Sequence, residues 1–139
     1  GDFATMFMGV IDRHEGRLVY ASAGHEIGYV IRRDGGIDEL NTTGLLLGVD
    51  PDADYEMAEL TIAPGDTIIL LTDGLIETMS PEGKPLGRRA VVESLGTDEG
   101  AGLQQTSPHD LTARLLRLAD SHRDGGPQLD DITLAIVRV

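Results

Sequence analysis

Short runs of alternating apolar and polar residues, separated by glycine-containing turns, fill the first 40 residues of the chain. Phe3–Asp12 and Arg17–Ser22 flank a four-residue turn that ends at Gly16, a position that needs a positive φ. Glu26–Arg33 and Gly36–Leu40 repeat this arrangement around a second glycine-rich turn. The pattern predicts four strands that form an antiparallel meander.

The middle of the chain contains its most apolar segment. Tyr55–Ile62 alternates between apolar and polar residues and predicts a strand, whereas Thr67–Thr72 is almost continuously apolar. A continuous apolar run is typical of a strand covered on both faces, so we expect this strand in the centre of the core. Gly44–Gly48 is bracketed by glycines and predicts a buried loop that lies against the sheet.

Helical spacing replaces strand alternation in the second half of the chain. Helices are predicted over Leu75–Met79, Gly87–Leu95 and Pro108–His122, a glycine-bearing surface loop over Thr97–Gln105, and a last strand over Ile132–Val139. In the longest helix, Ser107 suits the N-cap position and Pro108 the first helical position. Its expected buried face contains residues at helical spacing, namely Leu111, Leu115 and Leu118.

The length of the chain, 139 residues, is that of one domain. No apolar run approaches the roughly 20 residues that a membrane span needs. No signal-peptide pattern opens the sequence either. We therefore expect a single domain over residues 1–139, located in the cytoplasm.

The charge of the chain is strongly negative. Acidic residues outnumber basic residues by 24 to 11, which gives a net charge of −13. Nucleic acids and anionic lipid surfaces are therefore poor partners. Such a chain can attract divalent cations, although a featureless soluble surface would carry the same charge. The absence of cysteine excludes disulfides, thiolate nucleophiles and cysteine-based zinc sites.

Asp73 and Gly74 follow directly after the predicted central strand. A carboxylate at the end of a buried strand, next to a residue without a Cβ atom, stands at the rim of the sheet with space beside it. Mg²⁺ or Mn²⁺ could bind there, because these ions take one or two carboxylates together with water and substrate phosphate. The same dipeptide also suits a tight turn from strand to helix, with Asp73 as the cap.

Asp130 and Asp131 immediately precede the last predicted strand. Adjacent carboxylates repel each other, so a site that holds both usually contains a cation or raises their pKa values. An acidic pair in a solvated loop, where the repulsion is screened, would have the same sequence. Both acidic segments adjoin predicted core strands that could be neighbours. The sequence therefore supports two alternatives equally, a shared metal site and a pair of unrelated acidic turns.

Other polar residues point less clearly to chemistry. Asp50–Asp54 is similar to the start of a calcium-binding loop, but Tyr55 and Thr61 stand where such a loop needs glycine and glutamate, so a solvated turn is predicted. His25 could act as an acid, a base or a ligand, although a lone histidine at a strand junction is more often structural. The sequence contains no phosphate-binding loop, dinucleotide fingerprint, zinc-protease motif or esterase motif.

Five segments, taken in order, form a specific pattern that extends over essentially the whole chain. They are Phe3–Phe7 with Val10–Asp12, Gly16–His25, Gly44–Val49, Pro64–Glu77 and Asp130–Leu134. In this order they resemble the SpoIIE-like branch of the PPM (PP2C-like) metal-dependent protein serine/threonine phosphatases. The resemblance implies an α+β fold, a PP2C-like β-sandwich of mostly antiparallel strands flanked by helices.

The resemblance also implies a reaction and its site. The reaction is the hydrolysis of phosphoserine or phosphothreonine, in which two cations activate a water molecule for in-line attack on phosphorus. The metal-binding segments of the family match Asp73 with Gly74 and Asp130 with Asp131, the last standing where related phosphatases often have asparagine. The expected cofactors are Mn²⁺ or Mg²⁺, two ions in the complete domain. The expected substrate is a phosphorylated STAS-domain anti-sigma-factor antagonist.

One part of the family pattern is not found in these residues. The family has a further metal-bridging carboxylate, in an Asp-x-x-Gly-His-Gly-like segment upstream of the strand that matches Phe3–Phe7, followed by helices that cover the sheet. Asp2 is not that residue, because it adjoins the later strand. We therefore expect the chain to lack the N-terminal part of the family domain. Apolar sheet surface would then be exposed and would favour self-association, for instance as a homodimer.

Two other functions remain open from the sequence. The first is a catalytically inactive, phosphatase-like module that binds a regulatory partner without turnover. The second is a purely structural acidic domain, in which Asp73→Asn would change neither metal binding nor stability.

Overall fold

The computed structural model describes residues 2–96 and 106–139. The strands are β1 (Met6–Asp12), β2 (Arg17–Ala23), β3 (Gly28–Ile31), β4 (Ile37–Leu40), β5 (Ala58–Thr61), β6 (Thr67–Leu71) and β7 (Leu134–Arg138). The helices are α1 (Asp73–Ile76), α2 (Gly87–Gly96) and α3 (Pro108–Arg123). The loop predicted over Thr97–Gln105 lies outside the described residues.

The strands form a sandwich of two sheets, as the resemblance implies. One sheet has the strand order β1-β2-β5 and the other the order β4-β3-β6-β7. Every pairing between these strands is antiparallel. Side chains of both sheets meet in one apolar cluster, whose buried members are Leu18, Tyr20, Val30, Leu40, Ile62 and Ile68. Removal of this apolar surface from water holds the two sheets together.

The predicted four-stranded meander is wrong at its central connection. β1 pairs with β2 and β3 pairs with β4, but β2 and β3 belong to different sheets. The chain leaves β2 through Gly24, whose φ is +60°, and crosses to the other layer before β3 begins. Hydrophobic alternation identifies a strand and its buried face, but it does not say which sheet contains the strand. The predicted positive φ at Gly16 is confirmed at +62°.

β6 is the central strand of the fold, as its apolar run predicts. Ile68 packs in the cluster between the sheets, whereas Ile69 and Leu71 contribute to a second cluster on the opposite face. This second cluster joins the four-stranded sheet to all three helices. Its helical members are Leu75 of α1, Val91 and Leu95 of α2, and Leu111, Leu115 and Ala119 of α3.

The helices begin and end close to the predicted positions. Ser107 caps α3, because its hydroxyl accepts a hydrogen bond from the backbone N–H of Asp110 at 3.1 Å. Leu111 and Leu115 are buried as predicted, and Leu118 is half-buried against the same core. The short predicted helix Leu75–Met79 is α1, which begins and ends nearer the N-terminus. The predicted strands are likewise shorter in the structure at several of their ends.

The outer face of the three-stranded sheet is exposed. Met6, Met8 and Val10 alternate along β1 on the face opposite to Phe7 and Ile11, and they are 49%, 62% and 58% exposed. Phe7 and Ile11 instead pack against the cluster between the sheets. The expectation that apolar sheet surface would be open to solvent is confirmed.

Gly44–Gly48 was expected to be a buried loop, and this expectation is wrong. The loop does lie along the strands, since Leu47 exchanges two backbone hydrogen bonds with Ala4, and Gly44 accepts one from Gly24. This pairing follows the edge of the fold rather than its interior. Leu45 is therefore 53% exposed.

A partly buried ion-pair network lies between the end of β3 and the start of β6. The carboxylate of Asp66 accepts hydrogen bonds from the backbone N–H groups of Ala63 and Arg33, both at 3.0 Å, and from Arg32 Nη1 at 2.9 Å. Arg32 also pairs with Asp38. Burial alone would raise the pKa of Asp66, but these hydrogen bonds and the Arg32 charge lower it below its ordinary value.

Among the helices that the structure describes, none has both the length and the apolar character needed to cross a membrane.

Candidate functional site

The strand β6 leads from the centre of the core directly to Asp73. Its residues are buried on both faces up to Leu71, after which Thr72 occupies the N-cap position of α1. Asp73 is the first residue of this helix, and its side chain is exposed. The tight turn from strand to helix is present, but Thr72 and not Asp73 occupies its capping position.

Asp130 and Asp131 lie at the same edge of the sheet as Asp73. They precede β7, which is the antiparallel neighbour of β6, with Leu71 opposite Leu134. The end of one strand is therefore next to the start of the other. The sequence expectation that the two acidic segments adjoin neighbouring core strands is confirmed.

Thr72 connects the two acidic segments. Its backbone N–H donates to the carbonyl of Thr133 at 3.1 Å, and its hydroxyl accepts from the Thr133 N–H at 3.0 Å. The same hydroxyl donates to the carbonyl of Asp131 at 3.1 Å. These three hydrogen bonds fix the backbone before Asp73 against the backbone after Asp131.

Gly74 makes this close approach possible. A Cβ atom on Gly74 would lie 2.3 Å from the carbonyl oxygen of Asp131, a separation that real Cβ atoms do not show. The residue is buried, and it forms part of the wall of a cleft of about 310 Å³ that Asp130 also lines. Gly74 was predicted within the metal-binding segment, and the structure gives it a clear role in bringing the segments together.

Asp130 accepts two hydrogen bonds from groups of its own turn. One carboxylate oxygen of Asp130 accepts a hydrogen bond from the Asp131 N–H at 2.7 Å, and the Asp130 carbonyl accepts one from the Gln128 side chain at 3.0 Å. Both aspartates are exposed. The turn is thus ordered by its own hydrogen bonds, and at least one oxygen of Asp130 is left for another ligand.

The donors at this edge are hard oxygen atoms, which is the chemistry that Mg²⁺ and Mn²⁺ prefer. The tight packing of Gly74 on Asp131 brings the two acidic segments together as a shared site requires. However, residues 2–96 and 106–139 contain no group of three or more histidine, aspartate or glutamate side chains arranged to hold a metal. The described residues therefore fit part of a carboxylate and water coordination sphere.

Sequence reasoning missed a second group of polar residues near Asp73. Asp73 lines a different pocket from Asp130, one of about 420 Å³ whose wall includes His25, Glu26 and Arg88. Arg88 pairs with Glu26 at 2.7 Å although 61 residues separate them in the chain. No local sequence signal connects residues so far apart. His25 lies here too, where its ring Nδ1 is 3.1 Å from the Thr5 hydroxyl.

The acidic turn Asp50–Asp54 is held by a hydrogen bond between two of its own residues. The backbone N–H of Asp52 donates to the Asp50 carboxylate at 3.0 Å, and both residues are exposed. This geometry is that of the predicted solvated turn.

Two curated relatives match almost all of the chain. Protein IcfG of Synechocystis is 36% identical over 135 residues, which are 97% of this chain and 20% of the relative. The phosphoserine phosphatase RsbU of Bacillus subtilis is 31% identical over 137 residues, which are 98% of this chain and 39% of the relative. The chain thus spans well under half the length of either protein.

Solved structures share the fold. The SiaA-PP2C domain of Pseudomonas aeruginosa is 25% identical with a TM-score of 0.74, over 97% of this chain and 51% of that one. The PP2C phosphatase domain of SpoIIE from Bacillus subtilis, solved with a fragment of its regulatory domain, has a TM-score of 0.79 at 18% identity. This match covers 97% of this chain and 37% of that chain. The sandwich and its helices are therefore those of a PP2C domain, of which the chain corresponds to a part.

The family model described as Stage II sporulation protein E (SpoIIE) matches residues 1–139, the full extent of the chain. Together with the ordered motifs and the shared fold, this match shows that the chain belongs to the SpoIIE family of PP2C-like proteins.

Proposed function

We propose that this chain is part of a metal-dependent protein serine/threonine phosphatase. The observation that carries the proposal is the close contact between the segment that contains Asp73 and the segment that contains Asp130 and Asp131, through Thr72 and Gly74. A surface that only bound a partner would have no need to hold two distant acidic segments in contact. The match to RsbU, a phosphoserine phosphatase, supports the same reaction.

Asp73 and Asp130 are the residues that we propose hold Mn²⁺ or Mg²⁺, with Gly74 and Asp131 completing the metal-binding segments. Two ions are proposed for the complete domain. When bound, such ions supply Lewis acidity that lowers the pKa of water and offsets the charge on phosphoryl oxygens. One of the solved SpoIIE phosphatase domains was presoaked with manganese, which supports this choice of ions.

The proposed reaction is the hydrolysis of a phosphate ester. The oxygen of water forms a new bond to phosphorus, the bond from phosphorus to the serine or threonine oxygen breaks, and that oxygen takes up a proton. The contribution of the chain is positional. Thr72 and Gly74 hold the backbone on either side of the site, so that the carboxylates need little reorganisation when substrate binds.

We propose as substrate a phosphorylated STAS-domain protein of the anti-sigma-factor antagonist type. The relatives RsbU and SiaA support a regulatory phosphoprotein as the partner. The exposed apolar face of β1 supports a second contact, with another copy of the chain.

A second candidate function is an inactive phosphatase-like module that binds a regulatory partner. The observation that favours it is the small number of ligands, because no cluster of three or more metal-binding side chains occurs in the parts of the chain that the structure describes. This candidate predicts partner binding without phosphate release.

Two measurements on the same variants distinguish these functions. Calorimetry reports Mn²⁺ binding, and phosphate release from a phosphoserine peptide reports hydrolysis. We expect Asp73→Asn and Asp130→Asn to abolish both, whereas Asp52→Asn in the exposed turn changes neither. Phosphate release that survives both site substitutions would overturn the proposed metal site. Partner binding with no phosphate release at any Mn²⁺ concentration would favour the inactive module.

A further inference from the structure

The pocket beside Asp73 has a polar wall that the metal site does not use. Asp73 forms one side of this pocket of about 420 Å³, and Thr5, His25, Glu26 and Arg88 are among the other lining residues. The pocket therefore places an arginine in the same cavity as a proposed metal ligand. Nothing in the family pattern considered above assigns a role to this arginine.

Glu26 holds Arg88 in a fixed orientation. Arg88 Nε donates to one carboxylate oxygen of Glu26 at 2.7 Å, and Nη2 donates to the other at 3.2 Å. The Glu26 carboxylate is itself fixed, because it accepts a hydrogen bond from the Ile27 N–H at 2.9 Å, and its side chain is only 11% exposed. The bidentate pair resembles the fork geometry in which arginine binds planar carboxylates. The hydrogen bonds from Arg88 to Glu26 raise the pKa of the arginine further above its ordinary value.

The paired guanidinium still has donors for a ligand. The two hydrogen bonds to Glu26 use Nε and Nη2, and they do not use Nη1. The Arg88 side chain remains 54% exposed although it is paired. An arginine has five N–H donors and suits the tetrahedral oxygens of a phosphate group. A structural tether alone would not require the cation to remain half open to a pocket.

The lining of the pocket contains two carboxylates, Asp73 and Glu26, and one guanidinium, Arg88. The Asp73 carboxylate would repel a phosphate group that entered the same cavity, and the net charge of −13 adds to this repulsion. Arg88 is the guanidinium of this lining that can contact the phosphate directly, because its ion pair with Glu26 does not use Nη1. Arg89, the next residue of α2, cannot do so, because it is 91% exposed and pairs with Glu93 on the helix surface.

We infer that Arg88 binds the phosphate group of the phosphoserine or phosphothreonine substrate in the pocket beside Asp73, and that Glu26 is the residue that positions it. This inference rests on the proposed phosphatase function and adds the residue that recognises the substrate. The group recognised is a phosphate monoester on a peptide.

The test compares two peptides of the same sequence, one with phosphoserine and one with serine. Fluorescence anisotropy reports their binding to the chain in the presence of Mn²⁺, and it is recorded before phosphate release from the phosphopeptide is detectable. We expect Arg88→Gln to weaken binding of the phosphopeptide about tenfold or more, since the lost hydrogen bonds are to a charged group. The matched control Arg89→Gln removes the same charge one residue away and is expected to change the affinity less than twofold.

A double variant distinguishes two causes of weaker phosphopeptide binding, the loss of Arg88 and the loss of the ion pair of Glu26. In Arg88→Gln the Glu26 carboxylate becomes unpaired and could itself repel phosphate. If Arg88 contacts the phosphate, then Glu26→Gln/Arg88→Gln binds the phosphopeptide as weakly as Arg88→Gln does. Recovery of the original affinity in the double variant would overturn the inference, because the effect would then come from Glu26.

Two further outcomes show whether the role of Arg88 or the proposed phosphatase function is wrong. Arg88→Gln and Arg89→Gln could bind the phosphopeptide equally well while the unchanged chain still binds it more tightly than the serine peptide. That result would overturn the role of Arg88 alone. An unchanged chain that binds both peptides equally overturns the proposed function as well. Mn²⁺ calorimetry and thermal unfolding of each variant show that the metal site and the fold are retained.

Discussion

Gly74 and Asp131 lie in such close contact that a Cβ atom on the glycine would be 2.3 Å from the aspartate carbonyl oxygen. The hydroxyl of Thr72 donates to the same oxygen at 3.1 Å. This carbonyl group is therefore held by two residues of the segment that contains Asp73. The separation of the two acidic segments is set by backbone contacts, and a change of one hydrogen atom to a methyl group should alter it.

Substitution of Gly74 by alanine is expected to push the two segments apart. Because neighbouring backbone cannot move as a flexible side chain does, we expect a loss of about 1–3 kcal/mol in the free energy of unfolding. Mn²⁺ affinity should fall in the same variant. Urea unfolding and calorimetry measure the two effects.

The control for this substitution is Gly96→Ala at the end of α2. A Cβ atom there would meet no described atom within 4 Å. We expect little change in either measurement. Equal behaviour of the Gly74 and Gly96 variants would show that the close contact is not required.

The Asp66 network predicts a pH dependence of stability. The folded-state pKa of Asp66 lies below the unfolded-state value of about 3.9, so the charged form stabilises the fold at higher pH. This contribution is complete above the unfolded-state pKa and is lost as the pH falls through the folded-state pKa. We expect Asp66→Asn to cost roughly 2 kcal/mol at pH 7, since Arg32 keeps its pair with Asp38 but loses its hydrogen bond to the charged Asp66.

Urea unfolding at pH 7 and at pH 3 tests this expectation. The difference between the unchanged chain and Asp66→Asn should be smaller at pH 3. Asp54→Asn, the same substitution at an exposed position, is the control and should follow the unchanged chain at both pH values. A constant difference at the two pH values would contradict the proposed ionisation of Asp66.

The N-cap of α3 gives a prediction independent of the site. Ser107→Ala removes the acceptor for the Asp110 N–H and is expected to lower the free energy of unfolding by about 1 kcal/mol. Ser107→Asp retains an acceptor and should restore most of this loss. Thermal unfolding measures both variants, and an alanine variant as stable as the unchanged chain would show that the cap contributes nothing.

The exposed methionines of β1 predict concentration-dependent self-association. Met8 is 62% exposed at the centre of an apolar face, so Met8→Glu should shift the chain toward the monomer in sedimentation experiments. Leu116→Glu introduces the same charge at an exposed leucine of α3 and should have no such effect. Sedimentation of the unchanged chain as a monomer at all concentrations would contradict the prediction.

The sequence predicted those features that depend on local patterns. The two hairpins, the central strand β6 and the cap of α3 follow from alternation, apolar continuity and a serine–proline pair, all of which act within a few residues. The position of the segments that contain Asp73 and Asp130 at one edge of the sheet could be anticipated, because each adjoins a core strand.

The remaining features depend on contacts between distant residues. The change of sheet at Gly24 was missed because alternation is the same in either sheet. The exposure of Leu45 was missed because the loop pairs with a strand edge that only the tertiary structure defines. The Arg88 and Glu26 pair is likewise invisible locally, since its members come from α2 and from the connection between the sheets.

The burial of β6 on both faces has a kinetic consequence for the site. The chain reaches Asp73 through residues that join both apolar clusters, so no small local fluctuation can free this segment from the fold. The backbone amides of β6 should therefore exchange with solvent deuterium only when the whole domain opens. Displacement of the backbone that leads to Asp73 would then be as rare as global unfolding.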